Sequence, residues 1–439
     1  MKIDSLIHAR WIVPVDSAGS VFENHSLAVN NGQILELLPS ELAPARYQPR
    51  IEHNLPSHVL IPGLINAHTH AAMALLRGLA DDLPLMSWLN NHIWPAERRW
   101  VNEEFVADGT RLAIAEMVRG GITCFNDMYF YPDITGRVAA TAGMRTVVGL
   151  ILIDFPSAWA DNGDDYLRKG LEVHDHFRHD SLVHTAFAPH APYSVSDGPL
   201  ERVRTLADEL EIPVHMHVHE TKDEIRHSLA EFGCRPLQRL AKLGLASPSL
   251  IAVHMTQLEP DELPSLAATG ASVVHCPESN LKLASGFCPV SKLLDAGVNV
   301  ALGTDGAASN NDLNLFSEMR SAALLAKGVS GDASALPAHT ALRMATINGA
   351  RALGLDDRIG SLEPGKAADI TAVDLGDPET QPVYHPVSQL VYATGRDKVT
   401  DVWVAGRQLL KGKQLTGMNL PEILSKATAW QTRIAACDN

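Results

Sequence analysis

His68 and His70 stand two apart at the end of the apolar run VLIPGLINAHTH. In a strand such residues face the same way, so both imidazoles can reach one ion. An H-x-H pair alone more often marks packed or surface histidines. Here three other apolar runs also end in residue types that bind metals: HMHVHE at 215 to 220, LIAVHM with His254, and VALGTD with Asp305. His215, His217 and His219 alternate and would share one face of a regular strand. His217 is the expected ligand, because Glu220 then follows by three and sets a carboxyl group just past the strand end, near the ion without binding it. His215 is expected as a packed histidine deeper in the fold, and His219 as a support behind the ligands or a pocket wall. Asp305 ends an apolar strand with no cationic run nearby, and an unpaired buried carboxylate is costly. The chemistry this set points to is coordination of one divalent metal ion.

The elements that must position these residues repeat along the chain. Apolar runs at 59–70, 121–130, 145–154, 182–191, 212–220, 250–257, 271–280 and 298–306 read as eight strands, apolar at their starts and polar at their C-terminal ends. Helical patterns lie between them, such as VADGTRLAIAEMVRGG with Gly120 and Gly121 as its stop, PLERVRTLADELE, DEIRHSLAEFG and SKLLDAG. Continuous apolar strands separated by helices suit a parallel sheet covered on both faces, so the expected fold is α/β, a (β/α)8 TIM barrel. His68, His70, His217, His254 and Asp305 would then sit at strand C-terminal ends, where barrel active sites are built.

Both chain ends instead alternate with the strand period, with turns at Asn30-Asn31-Gly32, Pro364-Gly365 and Ala405-Gly406. Neither end alone makes a convincing core. The expected organisation is therefore residues 1–58 as the N-terminal part of a small β-sandwich domain, 59–359 as the barrel, and 360–439 as the C-terminal part of the sandwich plus an amphipathic terminal helix. Residues 307 to 355 read as helical.

Composition excludes whole classes. The 439 residues are 46% hydrophobic and 20% charged, which rules out a disordered or low-complexity chain. Acidic residues outnumber basic ones 51 to 36, a net charge of -15 that disfavours binding to a phosphate backbone. No run approaches the about 20 apolar residues of a membrane span, and Asp4 and Arg10 interrupt what would be a secretory peptide. Cys124, Cys234, Cys276, Cys288 and Cys437 are odd in number and scattered, so a reducing, cytoplasmic location is the expectation.

Longer segments carry a resemblance. PGLINAHTHAAMALLRGLADDLPLMSWLNNHIWPAE, APHAPYSVS, HMHVHET, AVHM, HCPESNLKLASG, LGTDGAASNNDLN and GSLEPGKAADITAVDL resemble the amidohydrolase superfamily. Within its chlorohydrolase and deaminase branch they are most similar to the 5-methylthioadenosine/S-adenosylhomocysteine deaminases, over nearly the whole chain.

The resemblance implies one divalent metal ion, zinc in first place and iron(II) in second, held by His68, His70, His217 and Asp305. Glu220, His254 and Asp305 would handle protons. Binuclear members bridge two metals through a modified lysine on the fourth strand, and LVHTAFAPHA offers none. The implied reaction replaces the purine 6-amino group of 5'-methylthioadenosine, S-adenosylhomocysteine or adenosine by oxygen. That requires an activated water and a proton donor to the ring nitrogen, a part suited to Glu220. The H-x-E and P-C-x-x-C motifs of the other zinc deaminases are absent.

Glu97 would meet the ribose hydroxyls, His190 the purine or sugar, and Trp88 with Met86 would wall a pocket for a thioether. Ser279, Asn280 and Lys282 would order the loop after the seventh strand. For the amino-acid carboxylate of S-adenosylhomocysteine the region between the third and fourth strands offers Arg168, Lys169 and Arg178. The alternatives are a guanine, cytosine or triazine hydrolase of the same branch, or a non-catalytic barrel, which would have lost ligands this chain keeps. A small nucleoside substrate and assembly as a homo-oligomer complete the expectations.

Overall fold

The computed structural model describes residues 1–436, so Cys437 lies outside the described residues. Each of the eight expected runs contains a barrel strand: Leu64–Thr69, Ile122–Asp127, Arg145–Leu152, Val183–Pro189, Val214–Val218, Leu250–His254, Ser272–His275 and Asn299–Leu302. They pair in chain order, all parallel. The ring closes between its last and first strands. Asp305 N donates to His68 O at 3.0 Å, the Asn66 amide donates to Thr304 Oγ1 at 2.8 Å, and Thr304 N donates to Asn66 Oδ1 at 3.0 Å. The fold is a (β/α)8 barrel.

Its helices carry local start and stop signals. Helix Glu103–Arg119 begins where the Asn102 side chain accepts from Phe105 N and stops at Gly120. Helix Lys222–Phe232 is capped by Thr221 and ends at Gly233, whose φ of 64° suits glycine. The region after the last barrel strand is helical as expected, with Ala307–Asn310, Leu315–Ser330, Ala338–Met344 and Ile347–Ala352. The terminal helix Leu420–Ala435 seats Trp430 edge-on against Phe105, with ring centroids 5.3 Å apart. No described helix is long and apolar enough to cross a membrane.

Both chain ends build one mixed sheet. Lys2–Ile12, Phe22–Asn30, Gln33–Pro39 and Gln48–Pro62 come from the N-terminal side, and Ile370–Asp374, Val399–Val404, Arg407–Lys411 and Gln414–Leu415 from the C-terminal side. Hydrogen bonding is continuous through all eight strands. The edge strand Gln33–Pro39 returns to the chain near residue 366, Ile34 N donating to Lys366 O at 2.9 Å. Ile7, Leu27, Ile34, Leu60, Ile370 and Trp403 thereby close over one apolar cluster. The expected hairpin turns form where Asn31 and Gly32, and Ala405 and Gly406, adopt positive φ.

One element differs from the sequence reading. The run at 59–70 is divided at Gly63: Gln48–Pro62 belongs to the terminal sheet, and the first barrel strand starts at Leu64. Gly63 is required there because a Cβ would lie 2.0 Å from Thr123 Oγ1. Beside this junction Arg145, at the start of the third barrel strand, donates to both carboxylate oxygens of Asp369, at 2.9 and 3.1 Å, and both residues are buried. Removing one partner of a buried pair strands the other's charge, so Asp369→Ala should cost about 3–5 kcal/mol. A urea midpoint unchanged from wild type would show that the pair does not hold the sheet to the barrel.

Candidate active site

Three strands that are distant in sequence bring four ligand-type atoms together. His68, His70, His217 and Asp305 each offer one atom, and these atoms lie within 4.8 Å of one another. Their second nitrogens decide what the first can do. His68 Nδ1 pairs with His215 Nε2 at 2.9 Å, His70 Nδ1 with Met128 O at 2.5 Å, and His217 Nδ1 with His190 O at 2.8 Å. A carbonyl can only accept, so His70 and His217 carry their protons on Nδ1. With His68 likewise donating to His215, all three Nε2 atoms turn inward, where their lone pairs would meet a bound cation.

The electrostatics agree with a cation at the centre. Burial holds His68 down to about 4 and His217 well below the ordinary histidine value, so both are neutral near pH 7. Yet their Nε2 atoms stand only 3.2 Å apart, each without a proton to share. Burial alone would lower His70 too, but the Asp305 carboxylate 3.2 Å away overrides it and lifts the ring to about 9. Burial would raise Asp305, and the His68 and His70 rings beside it instead take it well below the usual carboxylate range. A three-imidazole, one-carboxylate set with every Nδ1 anchored fits one divalent metal ion.

Asp305 is held as closely as the histidines. Its Oδ1 accepts from Gly306 N at 2.8 Å, and its Oδ2 accepts from Ser279 Oγ at 2.7 Å and Ser309 Oγ at 2.9 Å. Ser279 and Asn280 therefore do more than order a loop, because Asn280 Oδ1 also accepts from His254 Nδ1 at 2.9 Å. His254 Nε2 is thereby aimed at Glu220 Oε2, 3.9 Å away. Lys282 instead reaches across to other segments, donating to Asp81 at 2.5 Å and to Asn311. Burial raises the Glu220 carboxyl, opposed in part by His254, which shifts it toward the acid form.

These residues open into one cavity of about 830 Å³ whose lining includes His70, Glu97, His190, His217, Glu220, His254 and Asp305. Trp88, Leu89, Ile93, Trp94 and Phe155 form an apolar wall. Trp88 sits in that wall with its indole N–H donating to Ala80 O at 3.1 Å, whereas Met86 packs half-buried against the core. Burial lifts Glu97 to about 7, with Tyr129 and His70 opposing. His190 is pushed down to about 3 by burial and by the neighbouring His70, and its Nδ1 pairs with Ser194 Oγ at 2.9 Å, leaving Nε2 for the cavity.

Some expected positions fall elsewhere. His219 neither lines the cavity nor backs a ligand. The strand ends at Val218, His219 takes a left-handed φ of 56°, and its Nε2 turns to accept from Leu237 N at 3.1 Å. Arg168 is tied to Asp165 and Glu172 on its own exposed helix face, and Lys169 bonds Trp159 O. Neither they nor Arg178 line the cavity, and the one Lys or Arg that does, among the described residues, is Arg98. His215 is buried as expected, but it also fixes the orientation of His68. Its signal was present in the alternation of HMHVHE, which gives the face of a side chain but not what it touches.

A parallel barrel with three imidazoles and a carboxylate converging at the C-terminal ends of its strands defines a metal-dependent hydrolase. The chain belongs to the amidohydrolase family, whose model matches residues 59–409. A 5-methylthioadenosine/S-adenosylhomocysteine deaminase from Teredinibacter turnerae is 51% identical over 434 residues, covering 99% of this chain and 98% of that protein. Among solved structures, an adenosine deaminase from Xanthomonas campestris with bound zinc matches with a TM-score of 0.98 and 55% identity, covering 99% of each chain. A zinc-complexed atrazine chlorohydrolase from Arthrobacter aurescens, TM-score 0.91 at 24% identity over 97% of this chain and 99% of that one, shares the fold.

Because His215 is the acceptor that fixes His68 Nδ1–H, His215→Phe should weaken metal binding by about 10–100-fold, the usual effect of losing such a support. Titration against a competing chelator measures it. Wild-type affinity in a folded variant would mean that the His68 orientation does not depend on His215.

Proposed function

We propose that this protein hydrolyses the 6-amino group of adenosine-type nucleosides, namely 5'-methylthioadenosine, S-adenosylhomocysteine and adenosine, giving the inosine analogue and ammonia. The observation that carries the reading is one cavity holding both the four-ligand set and a carboxyl group, Glu220, that burial favours in its acid form. The deaminase names of the full-length relatives support the purine nucleoside as substrate. Zinc is the proposed ion, since three imidazole nitrogens and one carboxylate oxygen suit it, and the Xanthomonas structure contains it.

His68, His70, His217 and Asp305 would hold the divalent ion, which when bound would lower the pKa of water toward 7 and so make a nucleophile available at neutral pH. The chain's own groups do the rest. Glu220 gives its proton to purine N1, so that the ring accepts the electron pair when oxygen adds to C6. Asp305, with His254 beside Glu220, takes the proton that water loses. The proton taken from water passes to the amino nitrogen as the C6–N bond breaks and ammonia leaves, and the proton still on the C6 oxygen returns to Glu220 as the carbonyl forms.

Glu97 accepts from the ribose hydroxyls, His190 contacts the purine or sugar, and Trp88 walls the space for a thioether. Arg98, at the cavity rim, is the cation placed to meet the carboxylate of S-adenosylhomocysteine.

Assay with adenosine, 5'-methylthioadenosine, S-adenosylhomocysteine, guanine and cytosine should show ammonia release and the purine absorbance change for the nucleosides. Turnover of guanine or cytosine alone would overturn the reading. Glu220→Gln should retain the metal while the rate falls at least ~100-fold, the lower range for a positioned acid or base. Loss of metal from that variant would make Glu220 a ligand and move the proton transfer to another group.

A further inference from the structure

Tyr129 lies two residues past the second barrel strand, and the Met128 backbone before it is fixed by bonds that also set the ligand cluster. Met128 N donates to Thr69 O at 2.9 Å, and Met128 O accepts from His70 Nδ1 at 2.5 Å. The side chain is 4% exposed and lines the same cavity as Glu97, with its ring centroid 6.5 Å from that of His70. Its hydroxyl is buried and has no hydrogen-bond partner of good geometry, an expensive state for a polar group unless something completes it. Glu97 reaches the cavity from a different element, the short helix Trp94–Trp100, among Trp88, Ile93 and Trp94. Tyr129 is the neutral donor beside it, and the two groups perturb each other: Tyr129 draws the Glu97 carboxyl down against burial, while burial and Glu97 together push the phenol well above its ordinary value.

We infer that Tyr129 is a positioning residue for the sugar: its hydroxyl donates to one Glu97 oxygen and so presents the carboxylate to the 2' and 3' hydroxyls of a ribonucleoside. A phenol stays protonated here and can only steady the carboxylate, whereas Glu97 on a short helix has several rotamers to choose from. The inference rests on the reading of Glu97 as the ribose acceptor.

The test uses metal-loaded enzyme with adenosine and 2',3'-dideoxyadenosine, comparing Tyr129→Phe, Glu97→Ala and the double variant. Tyr129→Phe should raise KM for adenosine about tenfold, the low end for a hydrogen bond to a charged group, and leave kcat and the dideoxy substrate little changed. On the Glu97→Ala background it should add nothing, since the two act as one unit. Equal losses on both substrates, or a full further loss on that background, would make Tyr129 a packing residue and overturn the inference. If Glu97→Ala discriminates between the substrates and Tyr129→Phe does not, Tyr129 alone fails. If Glu97→Ala itself treats them alike, the ribose reading of Glu97 fails and the inference with it.

Discussion

Three imidazole lone pairs and one carboxylate oxygen held within 4.8 Å of one another form an arrangement that is unfavourable on its own. Once each histidine has given its Nδ1 proton outward, only a proton kept on His70 Nε2 beside Asp305 links the four groups. The convergence is stable only if the outward partners are fixed and a cation sits among the inward atoms. The first requirement explains much of the surrounding structure. His215, the Met128 carbonyl and the His190 carbonyl belong to or directly follow three different barrel strands, so orienting the ligands takes a correctly closed ring. The closing bond itself, Asp305 N to His68 O, joins two ligand residues. Metal site and barrel closure are therefore one constraint.

The same cavity then separates the titrating groups by their neighbours. Glu220 and Asp305 are both buried carboxylic acids lining one space, yet one is raised and the other depressed. Asp305 has two imidazoles, two hydroxyls and a backbone N–H around it, all of which favour the anion. Glu220 faces His254 at 3.9 Å, and the loss of hydration, with Asp305 nearby, outweighs what His254, His70 and Ser285 give back. Two carboxyl groups driven apart in this way are suited to opposite parts in proton transfer.

How much of this was legible in the sequence depends on the kind of information each residue needs. The eight strands could be read because a strand buried on both faces must be apolar until it reaches the site, and His68, His217, His254 and Asp305 mark where that requirement stops. Pattern also gave the pairing of the two chain ends, whose alternation needs a common core. It could not give depth or backbone sign. His215 and His217 share a face by alternation, yet His217 offers its nitrogen to the four-group cluster while His215 holds His68 from behind. His219 should share that face too, and leaves it because its φ is positive. The split at Gly63 depends on the close approach of Thr123, a contact between different strands. Tyr129, in NDMYFYPD, reads as one more core aromatic until its hydroxyl is seen to lack a partner.

Backbone sign has a further consequence at the strand ends. His219, His254 and Asp305 all adopt left-handed φ, at 56°, 77° and 61°. For non-glycine residues this costs about 1–3 kcal/mol each. Glycine would remove the strain but would also remove the imidazole or carboxylate that the position exists to supply. The conformation must therefore be imposed by bonds on either side. Glu224 accepts from His219 N and Glu220 N at 2.9 and 2.7 Å, Met255 N donates to Val218 O at 3.1 Å, and Gly306 N donates to the Asp305 side chain. Strain concentrated at the C-terminal rim has to be offset where no such demand exists. The opposite rim answers that need: there Leu64, Ile122, Val183, Val214 and Leu250 start their strands buried, and the Arg145–Asp369 pair ties the third strand to the terminal sheet. The small β domain, remote from the ligands, thus belongs to the same balance of forces as the site.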